Sequence, residues 1–319
     1  VSAPSPHHAL SLGPHGGDGE RIAHALGLDP STILDLSASM NPFAPDVTGL
    51  AADRLDALRR YPDPTQARHL VADTIGVATE CLLLTNGGAE AISLLAQEVG
   101  GQVVEPEFSL HPRHAVTSAP TAPAPTAPTA SAPRWRSNPH NPTGRLAGAD
   151  EGADVWDEAF YQLATGEWTR GDAALATVGS LTKLFACPGL RLGYAIADAD
   201  LIERLERRQP QWSVSSLAVA LVPDLLGAAD LPKWAAGIAE LRRGLTDLLR
   251  HHGLDPRPSD ANYLLCGAPK GFRERLLPHG IIVRDCASFG LPEVVRLAVP
   301  GPDDLVRLDD VLTRTGPHT

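Results

Sequence analysis

The stretch SLTKLFACPGLRLGY, Ser180 to Tyr194, decides how the chain is read. It holds Lys183; the other two lysines, Lys233 and Lys270, lie outside any comparable apolar run. Ser180 stands three residues before Lys183 and Arg191 eight after it. A lysine amine titrates near about 10.4 in water, but desolvation beside another cation strips its proton and makes it a nucleophile. Such an amine forms imines with aldehydes. Ser180 and Arg191 supply a hydroxyl and a fixed cation suited to a dianionic group beside the imine, and the aldehyde that carries a phosphate is pyridoxal phosphate. A lone lysine in an apolar stretch more commonly snorkels to the surface. The residues around Lys183 argue against that.

Working outward, Ala174–Ser180 and Leu192–Asp198 read as strands flanking the lysine loop. Upstream, ADVWDEAFYQL (153 to 163) puts Asp157 and Glu158 at the end of an apolar strand, where an acid is either an active-site carboxylate or a helix cap. RWRSNPHNPTG (134 to 144) is a short strand entering a Pro and Gly loop, and QVVEP (102 to 106) reads as a buried strand. The run CLLLTN (81 to 86) is another, followed at once by GGAEAISLLAQEV (87 to 99), a helix whose glycine start makes either an anion site or a tight turn. The pattern is neither GxGxxG nor a Walker loop. HGGDGER (15 to 21) leads into a helix ending near Gly27, and ILDLSASMNPFAP (33 to 45) is a strand running into a loop. Further helices are predicted over 47–58, 65–75, 199–208, 214–227, 231–252 and 271–278, with strands over 263–266, 280–285 and 294–299. Strands alternating with helices across 65–210 predict an α/β fold with a large, mostly parallel sheet covered on both faces, joined to a smaller α+β unit.

A chain of 319 residues with 43% hydrophobic content buries a large core and exceeds the usual size of one compact unit. The expected division is a mobile arm over 1–14, a segment over 15–46 joining the small domain, a large cofactor-binding domain over 47–212 and a small domain over 213–319. Residues 119–133 (APTAPAPTAPTASAP) are a low-complexity loop inside the large domain. The formal charge of -11 without a basic stripe excludes a nucleic-acid or anionic-membrane surface. Cys81, Cys187, Cys266 and Cys286 are widely spaced thiols suited to a reducing compartment. The N-terminal residues have neither the charged nor the apolar region of a signal peptide, so a cytoplasmic location is expected. His111 and His114 form an HxxH without a supporting acid or cysteine at ligand spacing, and no metal is expected.

These motifs fall in a known order. The Gly-rich helix start, NPHNPTG, DEAF, SLTKLFACPGLRLGY and the late VRLAV together resemble the fold type I pyridoxal-phosphate enzymes of the class I/II aminotransferase group, from about residue 15 to 310. HGGD, SASMNPF, RYPDP, DEAF and IIVRDCASFGL look most like the threonine-phosphate decarboxylase and aminotransferase branch of cobalamin biosynthesis, with histidinol-phosphate aminotransferase a near relative. The resemblance implies that Lys183 joins the cofactor aldehyde and later moves the substrate proton. It also implies that Asp157 pairs with the ring nitrogen, that Asn141 bonds the ring oxygen, and that Ser180, Arg191, Gly88 and Ala89 hold the phosphate. His111 stands where an aromatic stacks on the ring, and Phe160 where histidinol-phosphate aminotransferases have a tyrosine. His15, Gly16, Asn41, Arg284 and Arg296 would meet a phosphorylated amino-acid substrate, Arg296 through its carboxylate. Tyr61 would reach the neighbouring site of a homodimer. The AP-rich stretch and the short interval from Gly144 to Asp157 depart from the family pattern.

Overall fold

The computed structural model describes residues 16–112 and 132–316. The expected N-terminal arm, His15, His114 and all of the AP-rich stretch except Ala132 and Pro133 lie outside the described residues.

The first strand, β1 (Leu34–Asp35), stands apart from the next five, which make the main sheet. These are β2 (Leu82–Thr85), β3 (Trp135–Ser137), β4 (Val155–Asp157), β5 (Ala176–Ser180) and β6 (Gly193–Ala197), in the order β2-β6-β5-β4-β3. β3, β4 and β5 run parallel, and β6 is antiparallel to both β5 and β2. Alternation explains why these strands are apolar throughout. Leu82 and Leu84 enter one core with Tyr194, while Leu83 enters another with Ala195 and Ala197. A strand buried on both faces needs an apolar residue at every position.

The helices preceding β3 are α1 (Gly19–Leu26), α2 (Val47–Ala52), α3 (Thr65–Ile75) and α4 (Gly87–Val99). Those that follow are α5 (Tyr161–Thr165), α6 (Leu181–Leu184), α7 (Ala199–Arg208), α8 (Ser216–Gly227) and α9 (Leu231–His251). α3 and α8 cover one face of the sheet through Val71, Leu221 and Leu225. α4 and α7 cover the other through Leu95, Leu201 and Leu205. The Asp198 carboxylate accepts the Leu201 amide at 2.7 Å and the Ser215 hydroxyl accepts the Ala218 amide at 3.2 Å, so α7 and α8 start where their side-chain caps stand.

The smaller unit contains β7 (Asp255–Pro256), β8 (Tyr263–Gly267), β9 (Ile281–Ile282), β10 (Arg284–Asp285) and β11 (Val294–Ala298), with α10 (Phe272–Leu276) and α11 (Pro302–Thr315). An antiparallel sheet has the order β10-β11-β8-β7, while β9 pairs in parallel with β1. Leu34 and Leu36 thereby join a core with Leu264, Leu297 and Leu308, which ties the N-terminal segment to this unit.

Three expectations change. The strand anticipated over 102–106 reduces to one bridge, Gln102 with Arg134, and Val104 is 74% exposed, with no layer over it among the described residues. The helix anticipated over 47–58 ends at Ala52 and resumes as a 3-10 turn over Leu55–Arg59, with Leu55 and Leu58 exposed. The strand over 280–285 splits at Val283, its halves serving different sheets. α9 packs into both cores: Val214 before it, with its own Trp234 and Ile238, enters the core of the main sheet, and Leu245 and Leu249 enter the smaller one.

Candidate active site

β5 ends at Ser180, and α6 begins at the next residue, carrying Lys183 within its single turn. Asn41 braces this turn from outside: its amide donates to the Lys183 carbonyl at 3.1 Å and its Nδ2 to the Leu184 carbonyl at 2.9 Å. The Lys183 side chain opens onto a cavity of ≈ 220 Å³ shared with Gly16, Gly88, Ala89, Asn141, Asp157, Ser180, Arg191, Arg284 and Arg296. Burial first, then the Arg296 and Arg191 cations, push its amine down from 10.5 to about 8; Asp35 pulls weakly the other way. About a tenth of the amine is therefore unprotonated at pH 7, against less than about a thousandth for an unperturbed lysine, which supplies the neutral form a nucleophile requires.

One end of the cavity is built for an anion. α4 starts without a side-chain cap, so its first amides remain open, and Gly88 and Ala89 line the wall there. Arg191 adopts φ 56, a left-handed conformation costing on the order of 1 kcal/mol for a non-glycine residue. Its guanidinium lies over Gly87, where a Cβ would come within 2.6 Å of Nη2. Gly193 is needed for the same reason: a Cβ there would stand 2.5 Å from the Gly88 nitrogen.

The cavity wall also carries Asp157, at the tip of β4 and buried. Its Oδ1 accepts the Ala159 amide at 3.0 Å, and Oδ2 meets His111 Nε2 at 2.8 Å. Neighbouring Glu158 is fully buried, and burial pushes its carboxyl up to about 7; it accepts the Arg170 amide at 3.0 Å. It holds a loop and does not line the cavity. Arg170 in turn bonds the carbonyls of Ala147, Gly148 and Glu151, ordering the short 144–157 interval without a helix.

Arg296 and Arg284 face one another in register across β11 and β10. Arg296 Nη1 donates to the Asn141 side-chain carbonyl at 2.7 Å, and its guanidinium lies 4.8 Å above the Tyr263 ring, a contact worth about 0.5–2 kcal/mol. Its Nε is buried and finds no hydrogen-bond partner among the described residues. Burial, then Arg296, hold the Arg284 guanidinium below the usual arginine range. Its Nη2 donates to Ser288 at 2.9 Å.

The cavity thus collects ten residues named from the sequence as its lining or reactive groups, with three displaced. His111, anticipated as the stacking group, lies behind the wall against Asp157, and Phe108 lines the cavity instead. The turn closed by His111 N to Phe108 O, at 3.1 Å, causes the exchange. Asn41, anticipated at the substrate, is buried with its amide groups spent on the Lys183 loop and on Phe43. Tyr61 is outside the cavity of its own chain, 78% exposed and packed on Trp212 at 4.6 Å between ring centroids. Gly16 lines the mouth, pressed so closely on Ser37 that a Cβ would meet its carbonyl oxygen. The sequence reading missed Phe108, Tyr263, Gly193 and Glu107. An acid directly before an aromatic, after a Pro-ended apolar run, was the one available signal for Glu107 and Phe108.

Pyridoxal phosphate suits this donor set. The uncapped amides of α4, Ser180 and Arg191 could hold its phosphate, Lys183 could meet its aldehyde, and Asp157 could hold its ring nitrogen. The missing Cβ atoms at Gly87 and Gly193 keep the phosphate end open.

The family model for aminotransferase class I and II matches residues 135–308. A histidinol-phosphate aminotransferase of Dechloromonas aromatica is 25% identical over 92% of this chain and 92% of its own length. Threonine-phosphate decarboxylase of Salmonella typhimurium is 29% identical over 97% of this chain and 99% of its own. Among solved structures, histidinol-phosphate aminotransferase from Sinorhizobium meliloti, in complex with pyridoxal 5'-phosphate, has the same fold. The two align with a TM-score of 0.77 over 98% of this chain and 97% of that one, at 17% identity. With a matched segment running from β3 through Lys183 and Arg296 into α11, the chain belongs to the class I and II aminotransferases and has the fold type I architecture.

Proposed function

We propose that this family member uses pyridoxal phosphate to act on a phosphorylated amino acid, releasing carbon dioxide from L-threonine O-3-phosphate in cobalamin biosynthesis. The observation that carries the reading is the pair Arg284 and Arg296, two buried cations in register at one wall of the cavity. The cofactor phosphate has its own cradle at Ser180, Arg191, Gly88 and Ala89, so this second pair suits two further negative groups. A carboxylate and a phosphate on one substrate provide them. A planar guanidinium matches a planar carboxylate in two parallel hydrogen bonds, and Arg296 is the better placed because Asn141 and Tyr263 fix its plane.

Once bound, the cofactor supplies an electron-accepting ring for the bond broken at the substrate's amine-bearing carbon. The chain's own residues do the rest. Asp157 holds a proton on the ring nitrogen, Asn141 orients the ring oxygen, and Lys183, with an amine near 8, takes up and returns protons close to neutrality. Arg296 sets where the carboxylate points and so which bond is weakened.

Amino-group transfer, on histidinol phosphate or another amino acid, is the second reading, favoured by relatives with that printed name at 25–28% identity. A catalytically inert protein of the same fold is disfavoured by the convergence of Lys183, Asp157, Asn141 and Arg191 on one cavity. The exposed Tyr61–Trp212 pair, with Leu55 and Leu58 exposed shortly before it in the chain, supports a homodimer in which Tyr61 serves the neighbouring site. Four unpaired thiols support a cytoplasmic location, and no helix among the described residues is long and apolar enough to cross a membrane.

A single turnover of the cofactor-loaded protein with L-threonine O-3-phosphate tests the proposal. Carbon dioxide and the amine phosphate, with pyridoxal phosphate regenerated, are expected. Pyridoxamine phosphate without carbon dioxide would replace this reading with aminotransfer.

A further inference from the structure

Behind the cavity wall, one carboxylate stands where a hydrogen-bonded chain through Ser137 meets a close approach from the His111 ring. Glu107 is 3% exposed. Its Oε1 accepts the Phe108 amide at 2.8 Å and the Ser137 hydroxyl at 2.5 Å, and its Oε2 accepts the Ser137 amide at 3.0 Å. The Ser137 oxygen accepts the Asn141 amide at 2.7 Å, and Asn141 meets Arg296 at 2.7 Å. In the other direction, His111 Nδ1 faces Glu107 Oε1 at 3.8 Å while His111 Nε2 bonds Asp157 at 2.8 Å. His140 Nε2 approaches Oε2 at 3.9 Å but is bonded to the Pro106 carbonyl at 2.9 Å.

We propose that Glu107 is a positioning residue that sets both grips on the cofactor ring at once, Asn141 through Ser137 and Asp157 through His111. The proposal rests on the pyridoxal-phosphate reading above. Burying a carboxylate is costly unless its oxygens are fully hydrogen-bonded. Here the compensating bonds are the same ones that fix the loop carrying Asn141 and the backbone of Phe108 on the cavity wall. A carboxylate is required because, among the described residues, three donors already converge on its two oxygens. A glutamine offers one acceptor oxygen, and its own N–H groups would confront the amide of Ser137 or Phe108. The two arms leave the carboxylate in different directions, so a rotation of Glu107 disturbs the oxygen side and the nitrogen side of the ring together. The phosphate cradle at Ser180 and Arg191 belongs to other elements and is untouched.

That separation supplies the test. Dissociation constants for pyridoxal phosphate and for inorganic phosphate would be measured on the cofactor-free protein and on Glu107→Gln. The expected result is a loss of about tenfold or more in cofactor affinity, as for about one hydrogen bond to a charged group, with phosphate affinity within about twofold. Ser137→Ala cuts only the hydroxyl link and should weaken the cofactor by a smaller factor; combined with Glu107→Gln it should add less than the sum of the two, since they share one arm. Equal weakening of cofactor and phosphate would mean general destabilisation and overturn the proposal, as would unchanged cofactor affinity in both single variants. If the unaltered protein bound phosphate but not pyridoxal phosphate, the cofactor reading itself would fall, and this proposal with it.

Discussion

Replacing Lys183 with methionine separates the electrostatics of the cavity from its chemistry. In the folded chain, burial and the nearby Arg296 and Arg191 cations lower the amine from 10.5 to about 8. At roughly 1.4 kcal/mol for each tenfold change in proton affinity, the protonated amine costs the fold about 3 kcal/mol. The sign follows from linkage. An amine whose folded pKa lies below its unfolded value burdens the folded state fully below the folded pKa, and the burden is relieved as pH rises towards the unfolded value. Methionine has a similar length, no charge and the flexibility to fill the channel. Cofactor-free Lys183→Met should therefore be more stable than the unaltered protein by up to about 3 kcal/mol near pH 7, and the gap should shrink by about 2 kcal/mol at about pH 9.5. Urea unfolding followed by tryptophan fluorescence at the two pH values measures it, and groups common to both proteins cancel in the difference. A gap that does not change with pH would refute the claim that Lys183 is a destabilised cation, whatever happens to turnover.

Gly193→Ala should lower cofactor affinity by about tenfold or more, because the new Cβ would stand 2.5 Å from the Gly88 nitrogen and push the phosphate loop aside; an unaltered dissociation constant would remove Gly88 from the phosphate site. If Tyr61 serves the neighbouring subunit, adding inactive Lys183→Ala protein to Tyr61→Phe protein should raise its activity, since mixed dimers contain one complete site. Activity that stays flat across mixing ratios, with exchange verified by mass spectrometry, would place Tyr61 outside the reaction.

The parts of the site legible in the sequence were those whose chemistry is local. Ser180, Lys183 and Arg191 share one short loop, and Asp157 ends a strand whose apolar run announces it. What escaped depends on how separate segments meet. The turn at Ser109 and Leu110 decides whether Phe108 or His111 faces the cavity, and no periodicity reports it. The pairing of Arg284 with Arg296 is a matter of cross-strand register between segments that each look ordinary. That α9 serves two cores was hidden because Trp234, Ile238, Leu245 and Leu249 continue one helical stripe. The short 144–157 interval looked like a loss, yet Arg170 organises its carbonyls in place of a helix.

The helix α9 has a mechanical consequence. Its 21 residues span about 31 Å, with one end set in the core that carries Lys183 and Arg191 and the other in the core that carries Arg284 and Arg296. A rod embedded at both ends fixes the gauge between the Lys183 amine and the Arg284–Arg296 pair proposed to hold the substrate. Widening that gauge requires the rod to slide through close-packed side chains, which resist volume change strongly. Gly16, Leu110 and Phe289 also line the cavity, which is held like a vice whose jaws keep their spacing.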